Sequence, residues 1–126
     1  MLNLSIIIPV YNVEAYIEEC LASVVAQSDA KANIECIIVD DCSPDGSMDI
    51  VRRFVDNYQG AVQFRTLRHE VNRGISAARN TGVEAATGDY VFFIDSDDYL
   101  MEHGLKTLVD GLLANPDADV VQGNSL

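Results

Sequence analysis

Three short segments of this 126-residue chain hold residue types able to bind or transform a ligand. The first is Asp40-Asp41-Cys42-Ser43-Pro44-Asp45-Gly46, which follows the apolar run 34–39 (IECIIV). A carboxylate at that point can accept hydrogen bonds from a base edge or a hydroxyl, or bind a metal. Adjacent acids at the end of such a run are costly without a partner, which marks Asp41 as a functional candidate. Asp45 and Ser47 equally suit a turn that caps the next helix. Asp41, Ser43, Asp45 and Gly46 imitate the start of a calcium loop. Arg52 stands where that loop needs a bidentate Glu, so the reading is rejected.

The second segment, Asp95-Ser96-Asp97-Asp98, follows YVFFI (90–94). Two carboxylates spaced by one residue at a strand end can face one hard cation, which keeps positions for water and phosphate oxygens. Asp98 alone would also serve as a helix cap. The third segment, 72–82 (NRGISAARNTG), is a small-residue helix opened by a glycine turn, suited to close packing on a sheet. Arg65, Arg68, Arg73 and Arg79 are four of the eight basic residues and fall in or before it. Some could face an anion; a solvated basic face is expected for Arg65 and Arg68. Tyr11, after the first apolar run, suits a stacking platform. His69 and His103 are lone histidines without a ligand partner at suitable spacing. Neither Gly-x-Gly-x-x-Gly nor Gly-x-x-x-x-Gly-Lys-Ser/Thr occurs, so dinucleotide and P-loop sites of those types are unsupported.

The elements that must hold these segments follow from hydrophobic periodicity. Residues 4–10 (LSIIIPV) and 34–39 read as buried strands, 62–67 as a third strand nearer an edge, and 90–94 as a fourth. Asn12 is a candidate N-cap, with Glu14 in the first turn of a helix carrying Ile17, Cys20, Leu21, Val24 and Val25. Ile50, Val51, Phe54, Val55 and Tyr58 form a second helical stripe. Residues 76–86 form a third helix, with Gly88 as its terminating glycine. Leu105, Leu108, Val109, Leu112 and Leu113 form the last stripe, and a fifth strand begins at 118–122. The β-α alternation predicts an α/β fold with a parallel sheet and helices on both faces. Ligands of such sheets lie beyond the carboxyl ends of the strands, where Tyr11, Asp41 and Asp95–Asp98 fall.

Composition sets the outer bounds. Eight Lys and Arg against twenty Asp and Glu give a formal net charge of −12, with 48% hydrophobic residues. That fits one globular domain and excludes disorder and nonspecific nucleic-acid binding, which requires a basic face. Three cysteines without C-x-x-C spacing argue against a disulfide framework or zinc site and for reduced thiols. No apolar run is long enough to span a membrane and no basic leader precedes the first, so a cytoplasmic protein is expected.

Taken together, SIIIPVYNVEAYIEECLASVVAQ, IECIIVDDCSPDGS and NRGISAARNTGVEAATGDYVFFIDSDD resemble, in order and spacing, family 2 glycosyltransferases of the GT-A fold. The resemblance implies a Rossmann-like three-layer α/β/α domain with a mainly parallel sheet, truncated after the fifth strand. Residues 1–126 would be its nucleotide-sugar-binding part, without the acceptor-binding half. It implies that Pro9, Val10, Tyr11 and Asn12 frame the nucleoside, with Tyr11 against the base and Glu14 in the same match. Asp41 would contact the base, commonly a uracil, and Gly74, Ala78 and Arg79 would line the nucleotide pocket with Ser96. Asp95 and Asp97 would be the D-x-D pair. Asp97 would be the direct ligand of Mn²⁺ or Mg²⁺, and Asp95 would bind the ribose or a metal-bound water.

The implied reaction transfers a sugar, with inversion, from a nucleotide-diphospho-sugar (a UDP-sugar) to a hydroxyl of a carbohydrate or lipid-linked acceptor in polysaccharide biosynthesis. Its general base is expected beyond Leu126, with either a missing C-terminal half or a homo-oligomer completing the unit. The full-length protein would then work at the inner membrane face. Two competing expectations are a nucleotide-binding half-domain without turnover and a phosphoacceptor receiver domain. The receiver is disfavoured: its acid pair should follow the first strand, and it needs a Lys after the fifth, whereas the only lysines are Lys31 and Lys106.

Overall fold

The computed structural model describes residues 2–27, 31–97 and 104–114. Strands β1 (Leu2–Val10), β2 (Ala32–Asp40), β3 (Gln63–Arg68) and β4 (Tyr90–Phe93) alternate with helices α1 (Ile17–Val25), α2 (Ser47–Asn57), α3 (Ile75–Ala85) and α4 (Gly104–Ala114). The strands form one parallel sheet in the order β3-β2-β1-β4. The chain therefore steps outward from β1 through β2 to β3, then crosses to the other side of β1. The expected α/β architecture is present. The expected strand at 118–122, Asp98 and His103 lie outside the described residues.

The continuous apolar run of β1 works because both of its faces are covered. Leu4, Ile6, Ile8 and Val10 pack with Ile17, Cys20, Leu21, Val24, Val51 and Val109, the core shared by α1, α2 and α4. Ile7 points the other way and packs with Ile37, Val39 and Ala78 beneath α3. The two-residue side-chain period of the strand thus feeds two cores. Gly82 lets α3 approach closely, because a Cβ there would overlap the Ile7 side chain. Strand β3 lies at an edge of the described sheet, as expected, and its side chains are exposed or half-buried.

Ser5, the polar residue inside the run, is fully buried and satisfied. Its hydroxyl donates to Glu35 Oε2 at 2.7 Å and accepts from the Gly88 N–H at 2.9 Å. Arg65 is not simply solvated: its guanidinium reaches Glu35 Oε1 and the Ala85 carbonyl, both at 2.8 Å. Burial raises the cost of ionising Glu35. Arg65, the Thr87 N–H, and the Ser5 and Thr87 hydroxyls outweigh it and hold the carboxyl at about 2.

Two helix-end expectations are corrected. Asn12 does not cap α1; its backbone is left-handed at φ 56°, residues 13–16 form a turn closed by the Val13 carbonyl, and the helix starts at Ile17. Asn accepts that conformation more readily than most residues, which explains the polar residue without a cap. Gly88 does not terminate α3. The helix ends at Ala85 with Ala86 extended, and Gly88 instead lies against the Asn3 and Ser5 backbone, where a Cβ would come within 2.8 Å of the Ser5 nitrogen. All three cysteines are free, and burial pushes the Cys36 thiol far up, so it stays protonated.

Candidate functional site

A cleft of about 470 Å³ opens at the carboxyl ends of β1, β2 and β4. Pro9, Val10 and Tyr11 line it from the end of β1, Asp41 with Asn72, Gly74 and Ala78 form one wall, and Asp95, Ser96 and Asp97 form the other. Val13 and Ile75 complete it. A groove of the same volume between α1 and α2 is lined by Glu18, Ile50, Arg53, Phe54, Asn57 and Tyr58. Volume does not separate the two; the convergence of loop acids and an exposed tyrosine at strand ends does.

The loop after β1 is laced to the loop after β2. The Asn12 N–H donates to Ser43 Oγ at 2.8 Å and the Val13 N–H to Ser47 Oγ at 3.0 Å. Glu14 and Asp45 complete the lacing: the Glu14 N–H donates to Asp45 Oδ2, and the Gly46 N–H donates to Glu14 Oε2, both at 3.1 Å. Asp45 also accepts from the Ser43 hydroxyl and from the N–H and hydroxyl of Ser47. Burial opposes its ionisation, but the Ser47 and Ser43 hydroxyls and the Ser47 and Glu14 N–H groups hold it at about 2. Gly46, not Asp45 or Ser47, stands at the N-cap of α2; Asp45, the residue before that cap, receives the first helical N–H. Asn12, Glu14 and Arg79 do not line the cleft, whereas Pro9, Val10, Tyr11, Asp41, Gly74, Ala78, Asp95, Ser96 and Asp97 are brought together there.

Asp41 is 2% exposed, yet it lines the cleft. Its Oδ1 accepts from the Arg73 N–H and its Oδ2 from the Gly74 N–H, at 2.8 and 2.9 Å. The ring of His69 lies 2.8 Å from Oδ1. Burial works against the charge; the Arg73 N–H, His69 and the Gly74 N–H outweigh it and keep Asp41 below the usual carboxylate range. Gly74 adopts φ 95°, a conformation that turns its N–H toward the carboxylate at low cost only for glycine. Tyr11 lines the cleft and is 47% exposed.

Asp97 is exposed and has no protein partner among the described residues. Asp95 shares one oxygen with Arg79, whose Nη2 lies 2.8 Å from Oδ1. No group of three ligating side chains converges among the described residues. Two carboxylates beside an open cleft nevertheless fit a hard cation, which completes its shell with water and substrate oxygens.

The model of the glycosyl transferase family 2 matches residues 5–125. The chain belongs to glycosyltransferase family 2. This family 2 domain is 39% identical over 123 residues to glycosyltransferase GlyA of Streptococcus pneumoniae, covering 97% of the chain and 16% of GlyA. It is 44% identical over 106 residues to the glycosyltransferase EpsJ of Bacillus subtilis, covering 84% of the chain and 29% of EpsJ. Among solved structures, Staphylococcus aureus TarS 1–349 in complex with UDP-GlcNAc superposes with a TM-score of 0.80 at 33% identity, over 90% of this chain and 32% of that one. The mannosyltransferase PcManGT of Pyrobaculum calidifontis, in complex with GDP-Man and Mn²⁺, gives 0.79 at 29% identity, over 86% and 32%. The fold is that of GT-A glycosyltransferases. The domain spans less than a third of the length of each of these four proteins. No helix among its described residues is long and apolar enough to cross a membrane.

Sequence reasoning missed Asn72 as a cleft residue of this family 2 domain, although it begins the third segment. It also missed His69 as a partner of Asp41. Residues 41 and 69 become neighbours only because β2 and β3 pair in parallel, so no local pattern announces them.

Proposed function

We propose that this domain binds a nucleotide-diphospho-sugar, a UDP-sugar, in the cleft between the Asp41 wall and the Asp95–Asp97 wall, as the donor of an inverting transfer to an acceptor hydroxyl. The observation that carries this reading is what one cleft brings together: the exposed Tyr11, the hydrogen-bonded carboxylate of Asp41, Asp95 paired with Arg79, and Asp97 without a partner among the described residues.

In this reading Tyr11 stacks on the base. Ionised Asp41 is acceptor-only, and its Oδ2 carries a single backbone donor, leaving capacity for a base N–H such as uracil N3–H. Asp97 and Asp95 hold a divalent cation, Mn²⁺ or Mg²⁺. When bound, that cation offsets the repulsion between carboxylates and diphosphate, about 4 kcal/mol per like-charge pair at 4 Å and an effective dielectric of 20, and stabilises the leaving nucleoside diphosphate. Arg79 holds Asp95 from behind, and Ser96 lies between the two acids.

A general base must take the acceptor proton. Asp41 is committed to three protein donors, Asp95 to Arg79 and Asp97, in this reading, to the cation, so the proposal assigns that role beyond residue 126. Calorimetric titration of the chain with UDP, with and without Mn²⁺, beside donor hydrolysis and transfer assays, tests the reading. Metal-dependent UDP binding supports it. A folded chain that binds no nucleotide in either condition overturns it. Binding without turnover restricts the chain to donor binding and assigns the remaining chemistry to residues it does not contain.

A further inference from the structure

His69 takes no direct part in the reading above, yet it joins three segments of the domain. It is 5% exposed and directly follows β3, where its N–H donates to the Asp40 carbonyl at 2.8 Å. Its Nδ1 lies 2.8 Å from Asp41 Oδ1, and its Nε2 lies 2.7 Å from the Thr81 hydroxyl on α3. Thr81 Oγ1 in turn lies 3.0 Å from the Ala77 carbonyl.

The two sides of the ring differ in what they permit. Asp41 receives two backbone N–H groups and is an acceptor only, so Nδ1 must carry a proton toward it. Thr81 can donate or accept. When Nε2 is protonated, the Thr81 oxygen accepts from it and the hydroxyl proton goes to Ala77. When Nε2 is bare, the hydroxyl turns and donates to it. The Nδ1–H bond therefore does not depend on which role Nε2 takes, because the adjustable group sits on the far side.

Asp41 also fixes the cleft wall. Its two oxygens hold consecutive N–H groups of the Arg73–Gly74 turn, one on each oxygen, and His69 supplies the third donor that keeps the carboxylate plane from rotating. We infer that His69 is the positioning residue of the nucleotide wall, its Nδ1–H locking Asp41 so that the 72–74 turn is formed before a ligand arrives. The inference rests on the nucleotide reading of the cleft, but its structural half can be measured without any ligand.

Two isosteres separate the ring nitrogens. In His69→Asn the amide nitrogen replaces Nδ1 and keeps the donor toward Asp41; in His69→Gln it replaces Nε2 and keeps only the Thr81 side. Amide hydrogen exchange at Arg73 and Gly74 reads the turn, and calorimetry with UDP and Mn²⁺ reads the wall. His69→Gln should speed exchange at both amides and weaken UDP binding, each by about ten-fold or more, as expected for a lost charge-assisted bond. His69→Asn should restore both to within about three-fold of the native chain. A ring that merely fills space would lower the melting temperature of the two variants alike and leave exchange and affinity unsplit, and that result overturns the inference. In the native chain, which needs no variant to fold, the buried Nδ1–H should give a slowly exchanging resonance; its absence also overturns the inference. Failure of the native chain to bind UDP defeats the donor reading alone, since exchange and the resonance still decide the clamp.

Discussion

Arg79 Nη2 stands 2.8 Å from Asp95 Oδ1, and the same guanidinium lies 5.7 Å from the centre of the Phe93 ring. Arg79 Nε is buried with no hydrogen-bond partner among the described residues, so the side chain reaches outward to a single acceptor. Both members of the pair are about two-fifths exposed, at 39% and 44%. An ion pair that wet adds little to folding. It distinguishes the two cleft acids: Asp95 is paired with Arg79, and Asp97 has no partner among the described residues.

Arg79→Gln should therefore change stability by less than about 1 kcal/mol. Freed of its partner, Asp95 should bind Mn²⁺ more tightly in the absence of nucleotide, while UDP without metal should bind more weakly. Paramagnetic titration of Mn²⁺, set beside calorimetry in EDTA, checks both directions.

Asp97→Asn tests the opposite member. The residue is exposed and without a described partner, so unfolding free energy should stay within about 0.5 kcal/mol of the native chain. The Mn²⁺ dependence of UDP binding should disappear, leaving a single weak affinity with or without the ion.

Gly74→Ala and Gly82→Ala should both destabilise, for different reasons. At Gly74 a Cβ meets nothing within 4 Å, so the cost is conformational, about 1–3 kcal/mol for φ 95°, ψ 163°. The turn should relax away from Asp41, and UDP affinity should fall with stability. At Gly82 the obstacle is the Ile7 side chain, and overpacking costs about 1–3 kcal/mol without touching the cleft. Denaturant titration of Gly82→Ala, Ile7→Ala and the double variant should show strong non-additivity, since each change relieves the other.

Acid should weaken the fold through Glu35, Asp41 and Asp45. Their carboxyls lie below the ordinary values of 4.5 and 3.8, at about 2 for Glu35 and Asp45. The unfolded chain consequently binds protons first as pH falls. The stability these groups contribute is fully present above about pH 5 and drains away down to about pH 2. Glu35→Gln should flatten that slope and lower stability at neutral pH, where Arg65 loses its charged partner. Denaturation midpoints across a pH series measure both.

Much of this arrangement was legible in the residues. The runs at 4–10 and 34–39 are apolar on both faces because helices cover both, and acids placed after such runs fall at strand ends. The ends of helices were less legible. Asn12 has the composition of a cap but serves a left-handed bend, and Gly88 has the composition of a helix stop but makes room for the backbone of β1. Both roles depend on neighbours far along the chain. Asp41 was legible as an acid needing partners; that those partners would be Arg73, Gly74 and His69 depended on strand pairing and on the φ of Gly74.

The two walls of the cleft are unequally anchored. The Asp41 wall hangs from β2, paired with β1 from Leu2–Ala32 through Val10–Asp40 and with β3 on its other side. The Asp95–Asp97 wall follows β4, whose ladder to β1 runs only from Leu4–Tyr90 to Ile7–Phe93 among the described residues. A short ladder opens locally at lower free energy than a long one flanked on both sides. Amide exchange should accordingly be faster along the described β4 ladder than along β2, so the side of the cleft that carries Asp95 is held by fewer backbone bonds than the side that carries Asp41.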